Sequence, residues 1–409
     1  MQASSSTLPG VTTGHAPSAA LAVPITLLAA AGFASGSGMR LLDPLLPRVA
    51  AGLGTTVAGA SLLIACFMLP YGLGQAVLGP LGDRLGKLRV VCVAMLLYGL
   101  CVAACAIAGS LASLVALRAA SGLFAGAVIP LMMAYLGDVV PYADRQATLG
   151  RFLTGMVMAQ MLTGPISGVI GQYAGWRASF LVLGVFALCI GAVMALRFGS
   201  AIWRPVAASA GHAAVPGPVA YLRLLRRPMG RWLLISAFFD GFCLFGGAFP
   251  YVGAFLIERF ALSATAAGLI VAGFGAGAFV YTRFARQLVR RMGERRLLLT
   301  GGLGLSAGLL GIALAPSWPV LVAIQVGIGL VFYMFHGVLQ ARATEALPEA
   351  RGAAVSAFAL ALFLGQGAGA LAFGALLAHG GYRLGFMAAG ACMVLLTLWC
   401  RWGMGRLRG

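Results

Sequence analysis

Apolar residues run along this chain in long blocks broken by short polar joints. Each block has about the 20-residue length that a membrane-crossing helix requires. The blocks fall at 20–42, 57–78, 90–108, 111–136, 149–171 and 178–196. After a gap they resume at 232–256, 266–284, 297–315, 320–340, 353–377 and 384–400. The pattern predicts an all-α membrane protein with twelve transmembrane helices, arranged as two six-helix bundles over 19–196 and 232–402. Residues 1–18 read as a disordered tail, 197–231 as the linker and 403–409 as a closing tail. The linker is rich in Ala, Pro and Gly and ends in Tyr221, Arg223, Arg226 and Arg227. That stretch reads either as a short basic amphipathic helix on the inner leaflet or as a plain tether.

The two halves repeat. Leu114, Arg118, Gly122 and Leu123 match Leu321, Gln325, Gly329 and Leu330 at an offset of about 207 positions, and so do Gly86 with Gly293 and Asp138 with Glu345. One position shorter, Gly175-Trp176-Arg177 matches Gly381-Tyr382-Arg383. Parallel repeats of this kind face each other, hold a substrate site between them near the bilayer midplane, and rock to alternate its access.

Composition supports lipid as the solvent. The chain is 61% hydrophobic and 9% charged, where a soluble domain carries roughly 25% charged residues. Its net charge of +19 does not form the stripe that nucleic acid needs; the basic residues sit between apolar blocks. With the N-terminus in the cytoplasm, the inner joints receive Arg84, Lys87, Arg89, Arg145, Arg286, Arg290, Arg291, Arg295, Arg296 and Arg342, and the outer joints Arg48, Arg177, Arg259 and Arg383. Both termini are therefore expected inside, in a bacterial inner membrane. Residues 1–18 lack the basic start of a signal peptide, so the first block reads as a retained helix. The 8 cysteines have no metal spacing and read as small core residues, and no cofactor is expected.

The joint after the second block reads Gly79-Pro80-Leu81-Gly82-Asp83-Arg84-Leu85-Gly86-Lys87. It resembles the signature of the major facilitator superfamily at that joint. Helix 4, with Leu114, Arg118 and Gly122, is similar to a second motif of that family. Gly164-Pro165-Ile166-Ser167-Gly168 resembles the helix 5 motif of its twelve-helix drug:proton antiporter branch, with Gln160 and Val169 departing from it. Arg40-Leu41-Leu42-Asp43-Pro44 is similar to the same branch's helix 1 ending, although many relatives carry an acid where Arg40 stands. The resemblance implies that Gly79, Asp83, Arg84, Gly86 and Lys87 form a cytoplasmic gate that latches the halves together when the site opens outward, and that Arg118 contributes to proton coupling or substrate binding. As a bare residue, Arg118 is a charge within the membrane that needs a partner or a wet cavity, or else snorkels to the surface.

Proton coupling needs a titratable group inside the bilayer. Of the 9 acids, Asp240 alone falls deep in a block, while Asp43 sits at a helix end, three residues from Arg40 and able to pair with it. Arg118 and Arg283 are the cations considered as partners for Asp240. His336, Tyr71, Gln75, Gln160, Gln325, Tyr333, Gln366 and Arg40 are the remaining polar candidates for a cavity, although bonding between helices also accounts for the amides. The reading is a monomeric secondary transporter, not an enzyme, that exports a small amphipathic compound against protons. Proton-coupled uptake is the alternative, and a membrane sensor a more distant one.

Overall fold

The computed structural model describes residues 24–203 and 217–406; the tail assigned to 1–18 and part of the linker lie outside them, and of the tail assigned to 403–409 the residues 403–406 continue the last helix while 407–409 lie outside. The first half comprises α1 (Ile25–Arg40), α2 (Leu46–Gly52), α3 (Val57–Ala60), α4 (Leu62–Leu85), α5 (Lys87–Ala104), α6 (Leu111–Val139), α7 (Tyr142–Tyr173) and α8 (Trp176–Phe198). The basic stretch of the linker is helical, as α9 (Gly217–Arg226). The second half holds α10 (Pro228–Asp240), a π-helical segment (Gly241–Ala248), α11 (Phe249–Phe260), α12 (Ala264–Leu314), α13 (Trp318–Glu345) and α14 (Arg351–Arg406). Nine helical stretches among the described residues are long and apolar enough to cross a membrane. Two of them, α12 and α14, break internally at Gly293 and Gly381.

Those breaks carry the repeat into three dimensions. Gly293 (φ 69°) and Gly381 (φ 71°) occupy the left-handed region, as do their counterparts Gly86 (φ 102°) and Gly175 (φ 84°). A side chain at such an angle is strained. The motif joint expected around Gly79–Lys87 is consequently far shorter than a loop: α4 stays helical through Pro80 to Leu85, and Gly86 alone turns the chain into α5. Packing repeats too. Gly122 of α6 lies on the Phe67 carbonyl of α4, and Gly329 of α13 lies on the Phe274 carbonyl of α12, the same pair one repeat later.

The halves meet through α7 on α12 and α4 on α14. Small residues make both contacts close: Gly168 faces the Ala264 backbone, Gly268 faces Gly164, Gly275 faces Met161, Gly367 faces Leu69 and Gly374 faces Ser61. These positions lie in the half of each helix remote from the end that carries Lys87 and Arg342. Thr265 Oγ1 donates to Gln172 Oε1 at 2.8 Å across that remote end. Toward the basic end, Gly79, Gly150 and Gly352 face open space. The halves converge at one end and part at the other.

Helix 1 ends earlier than its apolar block. Pro44 has no N–H to give the Arg40 carbonyl, which accepts from the Asp43 N–H at 3.1 Å instead. The π-helical segment has its own cause. Gly241 and Gly246 let the α14 backbone at Leu362 and Gln366 press against it, and Gly369 of α14 lies on the Phe242 carbonyl. A widened turn of this kind often marks a functional site.

Because the Gly329 contact is with backbone, Gly329→Val should lower the thermal unfolding midpoint of detergent-purified protein, with an overpacking cost of about 1–3 kcal/mol. Gly352→Ala, facing open space, should leave the midpoint unchanged. Equal midpoints for both variants would show that the close approach carries no stability.

Candidate functional site

Arg40 ends α1 with its side chain buried, and it reaches into the other half. Its guanidinium carbon lies 4.4 Å from the Phe245 ring centre and 4.6 Å from that of Phe249. Both rings belong to the second half, so this cation–π contact bridges the divide. Nε donates to Gln160 Oε1 of α7 at 2.7 Å. Nη1 stands 3.7 Å from Asp43 Oδ2 and has no hydrogen-bond partner.

From Phe245 the contacts run on into the second half. Phe245 meets Phe332 of α13 edge to face, with ring centres 4.6 Å apart. One turn along α13, the His336 ring stacks on Phe332 at 4.9 Å and 16°. His336 Nδ1 and Asp240 Oδ2 share a 2.6 Å hydrogen bond. Asp240 is fully buried, and its Oδ1 has no partner. It lies about 18 Å along the helix from Pro228, at 1.5 Å per residue. Asp240, His336, Phe332, Phe245 and Arg40 thus form one continuous line from a buried carboxyl to the contact between the halves.

This arrangement corrects several expectations. Neither Arg118 nor Arg283 pairs with Asp240: Arg283 is exposed, and Arg118 is buried in the first half. Arg118 does not snorkel either. It donates to the carbonyls of Gly38 at 3.0 Å and Leu63 at 3.3 Å, and its guanidinium lies over the Phe67 ring at 4.1 Å. It ties α1 and α4 to α6, and neither of these bonds goes to an acid. In this arrangement, with the halves parted at the basic end, the gate residues bond within the first half. Lys87 pairs with Asp138 and, at 3.7 Å, with Asp83; Arg84 lies exposed beside them. In the second half Arg342 pairs with Glu294 and Glu345, again one cation with two carboxylates.

The other candidates divide by place. Gln160, Tyr333, His336 and Gln75 are half-buried. Tyr71 is buried; its hydroxyl shares a 3.4 Å hydrogen bond with Ser35 and its ring lies 4.6 Å from Phe363 of the second half. Gln366 is taken up in seating the π-helical segment. Gln325, the counterpart of Arg118, is fully buried, and neither amide atom has a hydrogen-bond partner. Gly164, Pro165 and Gly168 serve the α7–α12 contact rather than lining the site. Phe245, Phe249 and Phe332 were absent from the candidate residues. Their only trace in sequence is i, i+4 spacing, of Phe245 with Phe249 and of Phe332 with His336, and a π-helical segment makes that spacing hard to read as a face.

The profile of the Major Facilitator Superfamily matches residues 28–263 and 241–407. The chain belongs to the Major Facilitator Superfamily. It is a multi-pass membrane transporter and not an enzyme. It is 25% identical over 283 residues to the MFS-type transporter YwfA of Bacillus subtilis, a match that covers 69% of this chain and 66% of that protein. A chloramphenicol resistance protein of Streptomyces lividans is 26% identical, over 92% of this chain and 94% of its own length. The fold is similar to that of a D-xylose-proton symporter, with a TM-score of 0.73 at 17% identity over 92% of this chain and 96% of that one.

A double-mutant cycle of Arg40→Gln and Phe245→Leu, read from unfolding midpoints, should give a coupling of about 1 kcal/mol. Additive effects would mean that the guanidinium does not interact with the ring across the divide.

Proposed function

We propose that this superfamily member is a proton-coupled exporter of a small amphipathic compound, working by alternating access as a monomer in a bacterial inner membrane. Twelve spans in two six-helix bundles account for the fold: the nine long stretches, α1, and one extra span from each glycine break in α12 and α14. The basic residues gathered at the Lys87 end put that end, with both termini, in the cytoplasm. The open end of the molecule then faces the cytoplasm, where export begins.

The observation that carries the reading is the buried Asp240–His336 pair and its line of rings to Arg40. Loading and losing a proton switches this pair between two charge states inside the bilayer, where charge is costly. The imidazole that shares the proton is stacked on Phe332, and Phe332 touches Phe245. A change in the ring's position is therefore passed to the Arg40–Phe245 cation–π contact, which spans the halves. Substrate enters from the cytoplasmic side past Gln160, Tyr333 and His336. A proton taken up from outside resets the pair and returns the carrier. Export is favoured by the relative that confers chloramphenicol resistance and by the partial antiporter motif on α7. The similarity to a sugar–proton symporter supports the same machinery run in the direction of uptake.

Asp240→Asn and His336→Gln should each abolish substrate-dependent proton movement in energised inverted vesicles, read by pH-sensitive dye, while purifying as folded protein. Proton-driven flux at the wild-type rate in Asp240→Asn would refute the assignment. Substrate accumulation in right-side-out vesicles would establish uptake.

A further inference from the structure

Where α12 and α14 meet the basic rim, the surface carries a groove of about 460 Å³ lined by Arg295, Leu398, Arg401, Trp402 and Gly405. Packing within the bilayer places it there. Gly302 of α12 lies on the Thr397 side chain, and Ser306 Oγ donates to the Gly390 carbonyl at 2.8 Å, so the last span runs antiparallel to the second part of α12. Arg295 opens the one just after the Gly293 turn, and Arg401 closes the other. Tryptophans mark this level as the bilayer interface. Trp232 Nε1 donates to the Trp399 carbonyl at 3.5 Å, and the Trp399 and Trp402 ring centres are 5.4 Å apart. Deeper along the Trp402 face of α14, at helical spacing, Leu398 and Leu395 are exposed by 50% and 68%, where lipid tails replace water.

Protein groups do not balance the charge on this rim. Of the five acids in the second half, Asp240 is buried and Glu258 lies at the opposite end; Glu294 and Glu345 are taken by Arg342, and Glu349 by Arg227 at 2.6 Å. Arg295 and Arg401 are exposed and have no hydrogen bond or ion pair among the described residues. We infer that the groove seats an anionic glycerophospholipid, its phosphodiester held between Arg295 and Arg401, its glycerol beside Trp402 and one acyl chain along Leu398 and Leu395. Guanidinium N–H groups pair well with phosphate oxygens. A choline or ethanolamine headgroup brings its own ammonium toward two uncompensated cations, so the groove prefers phosphatidylglycerol to a zwitterionic lipid. A soluble phosphate offers the same charge but nothing to cover the leucines, and exposed charge pairs alone are worth little in water. The occupant is therefore a lipid, and it ties α12 to α14 at the rim. This site requires only that the spans lie in lipid, whichever way the carrier runs.

The test is native mass spectrometry of the detergent-purified full chain with dioleoyl phosphatidylglycerol or dioleoyl phosphatidylcholine added; the two share their tails and differ in charge. Wild type should hold its first phosphatidylglycerol about tenfold more tightly than phosphatidylcholine. Arg295→Gln combined with Arg401→Gln should bring the two lipids within about twofold of each other. Arg197→Gln, which removes an exposed arginine at the end of α8 in the first half, should leave the preference unchanged. Excess glycerol 1-phosphate should not displace the lipid. Equal binding of both lipids by wild type, or a preference that survives in the double glutamine variant, would overturn the inference. So would an equal loss in Arg197→Gln, which would mean a diffuse attraction to basic surface. Displacement by glycerol 1-phosphate would overturn it in favour of a soluble phosphate ligand.

Discussion

A guanidinium inside a bilayer must have every face accounted for, and Arg40 meets that requirement with groups from both halves of the molecule. Asp43 and Gln160 hold it from its own half, and Phe245 and Phe249 hold it from the other. Because a charge at that depth costs about 2.5–3.5 kcal/mol on the insertion scale, separating the halves here is penalised unless another group takes the rings' place. The rest of the architecture follows from that constraint. The glycine contacts of α7 with α12 and of α4 with α14 bring the backbones close enough for the contact to form. The π-helical segment sets Phe245 and Phe249 at the register that meets it.

The same segment begins immediately after Asp240, which joins the two chemistries of the second half. Helix α14 presses its backbone against Gly241 and Gly246, so the wide turn is held by packing. On the proposed reading, the proton site and the inter-half contact are therefore neighbours on one irregular helix, and they are joined a second time through His336 and Phe332. Two routes between the same points make a stiff connection. Arg118 and Gln325 illustrate how the repeat diverged: the first binds carbonyls of α1 and α4, while the second keeps the position and the burial without partners for its amide.

Much of the fold was legible because lipid imposes a length and a polarity on each span. The twelve apolar blocks, the repeat offset and the turns at Gly86, Gly175, Gly293 and Gly381 all register in sequence, since a repeated tight turn needs the same glycine twice. Of the basic stretch 221–227, read as either a helix or a tether, residues 221–226 are helical in α9. The depth of Asp240 was legible by elimination among few acids, but its partner was not. A histidine on α13 is 96 residues away, and nothing local distinguishes it from a packing residue. Arg118 invited the pairing because opposite charges attract, yet it is the carbonyls of Gly38 and Leu63 that bind it. The aromatic line was invisible for a simpler reason: phenylalanine in a membrane span reads as lipid-facing bulk until the helices are placed.

The central claim is that the protonation state of the Asp240–His336 pair reaches the inter-half contact through Phe332 and Phe245. Electron–electron resonance distances between spin labels at Gly79 and Gly352, in protein whose 8 cysteines have been replaced, test it directly. The account predicts a pH-dependent shift in the distance distribution, and its loss in Phe245→Leu although the carboxyl and imidazole remain. A shift that persists undiminished in Phe245→Leu would contradict it.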